Sequence, residues 1–353
     1  MTVLVVVWAL VAAGFTVYTA CALGPRHTSP PGDGSARPLP DVLLLRPADA
    51  LTPRELETLA LPFAYDGALE HVVLAPSRPA LPPGIRWLRS DPASPNRKVG
   101  HLLHALDTLP AGDRLVVSVD ADVRVDAALL TALATAIRDG AALATAAPSP
   151  EPAPGLVAHA VRALLCHTQL SFTALDAVSV GAKSICGKAM ALAPAAVAGL
   201  RALRDHVGED LELARWLHAR GLAVALAAAR APVPQEPSGP LAPARDRFTR
   251  WMQVLRAHRP GLWWTVPVLF TPSLPLLLLG VALGTPVVAA TLLVWAARTA
   301  LALRLERAGA LWWPLGEGLL LLAFARSLGL RTVTWRGRRF RLRRGGRMQP
   351  VAS

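Results

Sequence analysis

The chain is apolar at both ends and alternates between short apolar runs and amphipathic stretches in the middle. Val3–Leu23 is an almost unbroken apolar run, about 30 Å long as a helix and long enough to cross a bilayer. No basic stretch precedes it and the run is long for a signal core, so it reads as a retained anchor. A second apolar region, Leu262–Leu330, is interrupted. Leu262–Leu283 and Pro286–Leu303 flank Gly284-Thr285, which predicts a tight helical hairpin. Pro267, Pro272 and Pro275 predict kinks in its first arm, tolerable where neighbours satisfy the freed carbonyls. Leu311–Leu330 carries Glu317 and Arg326, and its pattern fits either a span or an interfacial amphipathic helix.

Between these ends the period changes. After a Pro/Gly/Ser-rich linker, Gly24–Ala36, the pattern predicts strands at Val42–Leu45, His71–Leu74, Ile85–Leu88 and Leu115–Val119. Helical spacing covers Pro53–Leu61, Lys98–Leu109 and Ala127–Arg138, the last capped by Asp126. Leu115–Val119 is apolar throughout, as a strand covered on both faces would be. Such alternation predicts an α/β domain with a mainly parallel sheet and flanking helices, ligands binding at the strands' carboxyl ends. The expected organisation is an anchor (1–24), a linker (25–39) and an α/β domain (40–244). An interfacial helix (245–260), C-terminal membrane helices (261–330) and a basic tail (331–353) follow.

Charge refines the topology. Formal net charge is +13, and eight arginines lie between Arg331 and Arg347. A basic tail directly after an apolar segment is explained by anionic lipid headgroups rather than nucleic acid. Arg26 and Arg37 follow the first span and no Lys or Arg precedes it, so the middle domain and tail are expected in the cytoplasm, on a multi-pass protein of the cell (inner) membrane. An even number of C-terminal crossings follows, so one of the three C-terminal segments should not cross. Three cysteines, Cys21, Cys166 and Cys186, have neither metal-ligand nor disulfide-framework spacing, which suits a reducing compartment.

The candidate chemistry sits where a buried strand ends. Asp120-Ala-Asp122 follows Leu115–Val119, and a carboxylate pair at such an edge can hold a divalent cation against a nucleotide diphosphate. An Asp-x-Asp triplet is also a common solvated turn. Glu209-Asp210 opens a helical stretch, where acidic residues are favourable through the dipole alone. Arg247-Phe-Thr-Arg250-Trp251 precedes the first C-terminal apolar segment, and snorkelling toward headgroups competes there with phosphate binding. With membrane segments on both sides, the combination points to an enzyme moving a sugar from a soluble nucleotide donor to a membrane acceptor.

In this order the motifs resemble the lipid-directed glycosyltransferases of the large GT-A family-2 group. They are most similar to ceramide glucosyltransferase and its bacterial relatives, including the hopanoid-associated enzymes. The elements are Asn96-Arg-Lys98-Val99, Asp120-Ala-Asp122-Val-Arg124-Val125, Gly187-Lys188-Ala-Met190, Glu209-Asp210, Arg247-x-x-Arg250-Trp251 and Trp335-Arg336-Gly-Arg338-Arg-Phe340-Arg341-Leu342. The last is the most family-specific. The resemblance implies a GT-A-type fold and a UDP-sugar donor. Asp122 with Asp120 would hold Mg2+ or Mn2+, and Asp120, Lys98, Arg247 and Arg250 would face donor phosphates. Asp210 would be the base, with Gly187, Lys188 and Trp251 on the acceptor side. The family's aspartate after the second strand is missing: Val72–Pro79 contains no carboxylate and Asp66 and Asp91 are far along the chain, so either Ser77 or backbone groups contact the base or donor binding is weakened. Arg46 is a weaker candidate.

The resulting expectation is inverting transfer of glucose or N-acetylglucosamine to a hydroxyl of a sphingolipid, hopanoid or glycerolipid. A polyprenyl-phosphate transferase would lack the Trp335–Leu342 pattern. A non-catalytic nucleotide- or lipid-binding scaffold would explain the missing carboxylate but not the retained motifs. A transporter would need more than two apolar ends.

Overall fold

The computed structural model describes residues 1–22, 38–109, 111–178, 185–305, 309–335 and 338–351. The linker with Arg26 and Arg37, and Arg336 of the tail motif, lie outside them. The long apolar α1 (Thr2–Ala22) precedes β1 (Val42–Pro47), α2 (Pro53–Ala60), β2 (Leu69–Ala75), β3 (Ile85–Arg89), α3 (Arg97–Thr108), β4 (Leu115–Val119) and α4 (Ala127–Arg138). Then come β5 (Leu143–Thr145), β6 (Pro148–Pro150), α5 (Leu156–Val178), β7 (Ala189–Leu192), α6 (Pro194–Leu200), α7 (Glu209–His218), β8 (Val224–Leu226) and β9 (Ala231–Val233). Local chemistry sets the helix starts. Thr52 and Glu55 form a capping box on α2. Asn96 and Asp126 accept the Val99 and Leu129 N–H groups at 3.1 and 2.8 Å, satisfying otherwise orphaned donors.

One mixed sheet runs β3-β2-β1-β4-β7-β5-β8. The first four strands are parallel, β7 is antiparallel to β4 and β5, and β8 is parallel to β5. Alternation along β1 sends Leu43 and Leu45 to a core with Leu102 and Leu213. Leu44 goes to the opposite core with Leu129 and Leu133. Strand order reverses between β1 and β4, so a crevice opens at their carboxyl ends.

The C-terminal half comprises α8 (Leu241–His258), α9 (Pro260–Thr265), α10 (Ser273–Leu283), α11 (Thr285–Leu305), α12 (Trp313–Gly329), β10 (Thr332–Trp335), β11 (Arg338–Leu342) and β12 (Met348–Pro350). Leu262–Leu283 is broken rather than merely kinked. After α9, a π-helical turn at Val266–Phe270 leads to a 56° bend before α10, at the position of Pro267 and Pro272. Among the described residues, Thr2–Cys21 and Thr285–Leu305 are long and apolar enough to cross a membrane, and the bent pair is a third crossing if it acts as one span. The two ends form one bundle: Ala9, Ala12 and Ala13 pack with Val287, Ala290 and Val294, small residues allowing close approach. Trp8 Nε1 donates to Val268 O at 2.8 Å.

α12 has 17 residues and packs its Leu319, Leu320, Ala323 and Phe324 against α5 and α8, so it braces the domain on the bundle. The basic tail is a folded element. β10, β11 and β12 form an antiparallel sheet whose Val333, Phe340 and Met348 bury Val207. Val207 N–H donates to Gly346 O at 3.0 Å and Met348 N–H to Asp205 O at 2.7 Å. The tail thus backs the segment just before α7, a long-range pairing that arginine content does not announce.

Candidate active site

β4 delivers Asp120 at its carboxyl edge and Asp122 two residues on. Their turn is shaped by Arg46, buried near the end of β1, whose Nη2 donates to Asp120 O, Ala121 O and Val123 O at 3.0, 3.1 and 2.7 Å. Burial pulls its pKa down to about 10 against the pull of Asp120 and Asp122. One guanidinium therefore organises the turn, and Asp120 N–H donates to Lys188 O at 2.8 Å.

Two ammonium groups thread the carboxylates together. Lys98, in the first turn of α3, places Nζ 2.8 Å from Asp120 Oδ1 and 3.4 Å from Glu209 Oε1, and donates to Gly187 O. Lys188, entering β7, donates to Asp122 Oδ1 and Oδ2 at 2.7 and 2.6 Å and lies 3.8 Å from Asp120 Oδ2. Asp210 accepts Gly187 N–H at 2.7 Å and Leu211 N–H at 2.9 Å. Asn96 caps α3 with its oxygen and donates its amide to Glu209 Oε2 at 3.0 Å and His206 O at 2.7 Å. The capping residue of one helix thus ties down the start of the next.

The electrostatics separate two kinds of carboxyl. Desolvation, with Glu209 beside it, holds the Asp210 carboxyl up at about 6, against Lys98 and the two backbone donors. At Asp122 desolvation also favours the neutral form, but Lys188, then Arg247 and Lys98, outweigh it and hold it below the ordinary range. Burial opposes the charges of Lys98 and Lys188, yet the carboxylates around each keep both protonated, above the usual lysine value. Two carboxyls in one cluster are thereby pushed in opposite directions.

Asp120, Asp122, Lys98, Gly187, Lys188 and Asp210 therefore converge. Arg247 of α8 adds a third cation: burial lowers its pKa while Asp122 pulls the other way, and among the described residues its buried Nε has no hydrogen-bond partner. The Arg250 guanidinium lies 5.0 Å from the Trp335 ring centroid, and Trp251 packs edge-on against Phe248 at 5.2 Å. Gly187 has a steric reason to be glycine, since a Cβ there would meet Asp210 Oδ2 at 3.2 Å and Glu209 Oε1 and Lys98 Nζ at 3.3 Å. The structural weight of Arg46 and Asn96 exceeds what their motifs suggest. An arginine closing an otherwise apolar strand was the available signal.

The stretch after β2 has neighbours that chain distance conceals. Asp91 follows β3 and Ser90, whose N–H donates to Ala75 O at 3.0 Å, and Asp49 follows β1. Arg97 joins them, 2.6 Å from Asp49 Oδ1 and 2.7 Å from Asp91 Oδ1. Carboxylates therefore flank β2 on both sides.

Among solved structures, a mannosyltransferase from Pyrobaculum calidifontis, determined with GDP-Man and Mn2+, is similar to this chain at 15% identity and a TM-score of 0.45, with 93% of this chain and 99% of that one covered. No curated protein matches the chain. The family model described as glycosyl transferase family 21 matches residues 86–348, a stretch containing every member of the charged cluster except Arg46. The chain belongs to glycosyl transferase family 21, the ceramide glucosyltransferase family that its motifs resemble, and is a glycosyltransferase.

Proposed function

We propose that this enzyme transfers glucose or N-acetylglucosamine, with inversion, from a UDP-sugar to a hydroxyl of a membrane lipid. The observation that carries the reading is the loop entering β7. Gly187 holds Asp210 through its N–H, and the next residue, Lys188, holds Asp122. The proton-accepting end and the leaving-group end of a displacement are thereby one residue apart along the chain.

The acceptor hydroxyl gives its proton to Asp210 as its oxygen bonds to the anomeric carbon. The bond from that carbon to the diphosphate oxygen breaks, and UDP leaves with the electron pair. Asp210 is suited to the task, since a base with a pKa near 6 is ionised at neutral pH yet basic enough to take a proton. Arg247, with an unpartnered buried Nε facing the Asp122 side, and the two ammonium groups receive the developing phosphate charge. Gly187 and Lys188 border the acceptor side. Arg250 and Trp251 support the tail and the α8 packing.

A divalent metal fits at Asp122 and Asp120. Asp122 is 39% exposed, both its oxygens already gather positive charge, and hard oxygen donors suit Mg2+ or Mn2+. Among the described residues no group of three His, Cys, Asp or Glu side chains could hold a metal alone, so diphosphate oxygens would complete the shell. Held by Asp122 and Asp120, such an ion would supply charge neutralisation for a leaving diphosphate. For the uracil, Ser77 and backbone groups after β2 are flanked by Asp49 and Asp91. The lipid acceptor is supported by α8, which carries Arg247 and leads within two residues into α9 and the apolar bundle. Hopanoid and polyprenyl-phosphate acceptors are the competing substrates.

The test is UDP release by membranes containing the protein, with UDP-glucose or UDP-N-acetylglucosamine, Mg2+ or Mn2+ and a lipid extract, with Asp210→Asn beside it. Lipid-dependent turnover that vanishes in the variant is expected, and mass spectrometry of the product names the acceptor. Turnover that ignores lipid, or survives Asp210→Asn, overturns the reading.

A further inference from the structure

A cavity of about 290 Å³ lies where α8 passes into α9 and where the chain leaves α12, bordered by Gln253, Arg256, Pro260, Arg331, Arg343 and Arg344. Its lining holds four arginines and no carboxylate. The protein builds this place with care. Arg256 donates to Ser327 O and Leu330 O at 3.0 and 2.6 Å and stacks over Trp263. Gln253 Nε2 donates to Thr332 O at 2.8 Å. These bonds hold the end of α12 and the start of β10 against α8, so the mouth is fixed by packing. Arg343 is steadied by Gln349 Oε1 at 2.7 Å. Arg331 and Arg344 are exposed and have no carboxylate partner among the described residues.

The cavity's level in the molecule is marked on two sides. Arg331 lies two residues past the apolar α12, whose last turn exposes Leu328. Pro260 opens the broken apolar pair, where Trp264 is 60% exposed one turn on, as aromatic side chains are at a bilayer boundary. A concave cluster of guanidiniums at that height meets lipid headgroups, and guanidinium forks match phosphate oxygens. Cavities of roughly 300 Å³ hold small ligands. We propose that this cavity seats the phosphate of an anionic phospholipid, apart from the sugar-transfer site. The proposal does not depend on the reaction; it rests on the membrane reading of the apolar helices. Bound there, the lipid would clamp α8, α12 and the tail sheet at one depth, and so fix the height of Arg247 above the bilayer.

The experiment uses the full chain in nanodiscs of phosphatidylcholine with or without phosphatidylglycerol, extracted gently and weighed by native mass spectrometry. Arg331→Gln/Arg344→Gln is compared with Arg338→Gln/Arg339→Gln, which removes equal charge from exposed β11 positions outside the cavity. Preferential retention of phosphatidylglycerol is expected, lowered about tenfold in the cavity pair and little changed in the β11 pair. Equal loss in both pairs assigns the binding to diffuse charge and overturns the proposal, as does retention without headgroup preference. Displacement of the lipid by millimolar inorganic phosphate, or phosphate adducts of the same strength without lipid, makes the site one for free phosphate and overturns it too.

Discussion

In the apolar bundle, Arg298 Nε of α11 lies 3.0 Å from Glu317 Oε1 of α12. At the sheet edge, Lys188 Nζ lies 2.6 Å from Asp122 Oδ2. The pairs are alike in distance and opposite in setting. Arg298 and Glu317 are 2% and 8% exposed at their side chains, and their remaining bonds go to backbone. Arg298 donates to Leu269 O and Glu317 accepts Ser273 N–H at 3.1 Å, one on each side of the break between α9 and α10. The pair is a splint for backbone groups that the bend leaves without helical partners, in apolar surroundings that supply few others. Asp122 is 39% exposed, and its lysine also reaches toward Asp120. A closed pair whose members meet no other charged group among the described residues holds a shape, whereas an open cluster with shared partners can trade a lysine for a ligand.

The sharpest test of that contrast is loss of the proposed base, Asp210. Asp210→Asn should lower turnover by about 10²–10⁴-fold with its melting temperature in detergent nearly unchanged. Arg298→Leu should do the reverse. An uncompensated Glu317 in the bundle costs about 3–5 kcal/mol, read as a lowered unfolding temperature, while turnover per folded molecule persists. Arg298→Met with Glu317→Leu should recover most of the loss, leaving only the broken helix's backbone groups unsatisfied. If Asp122→Asn destabilises as strongly as Arg298→Leu, the site cluster is a structural pair too and the comparison fails.

Legibility follows the range of the interactions. The strand starting at Leu115, the cap at Asp126 and the helix opening at Glu209 were readable, because each depends on a few successive residues. Arg46 was not, because a charged residue at a strand's end is ordinarily solvated, and only the fold brings three carbonyls to its guanidinium. Asp91 read as too distant to serve the β2 edge, yet parallel pairing of β2 with β3 sets it there. The tail read as a basic flank, since its composition records the arginines and not that Gly346 and Met348 pair with the segment before α7.

That tail contact carries a smaller prediction. His258, at the end of α8, faces Glu212 Oε1 at 2.8 Å and Val207 O at 2.6 Å. The ring thus bridges α7 and the segment before it. Gly208 and Gly346, both at positive φ, close over it, and a Cβ at Gly346 would meet His258 Nε2 at 2.1 Å. His258→Leu removes the side-chain donor from the buried Val207 carbonyl at a cost of about 1–3 kcal/mol, while Glu212 Oε1 keeps Arg215 Nη1 at 2.8 Å. Hydrogen exchange should quicken in residues 205–208 and in β12 before it changes in the β1–β4 core. Uniform quickening would mean that the tail does not selectively brace the base helix.

The smallest effect is the most diagnostic of the site. Desolvation and then Glu209 raise the Asp210 carboxyl to about 6. A base works only as the anion, so turnover should fall as pH drops through about 6 and level off above it. Glu209→Gln removes a neighbouring negative charge that favours the protonated form, and it leaves Lys98 with one fewer carboxylate to share. Both changes stabilise the Asp210 anion, so the acid limb of turnover should move to lower pH while the plateau changes little. The check is a pair of pH–rate profiles at saturating donor and acceptor. A limb that stays in place assigns the titration to another group, and one that moves to higher pH means that Lys98 follows Glu209 rather than Asp210.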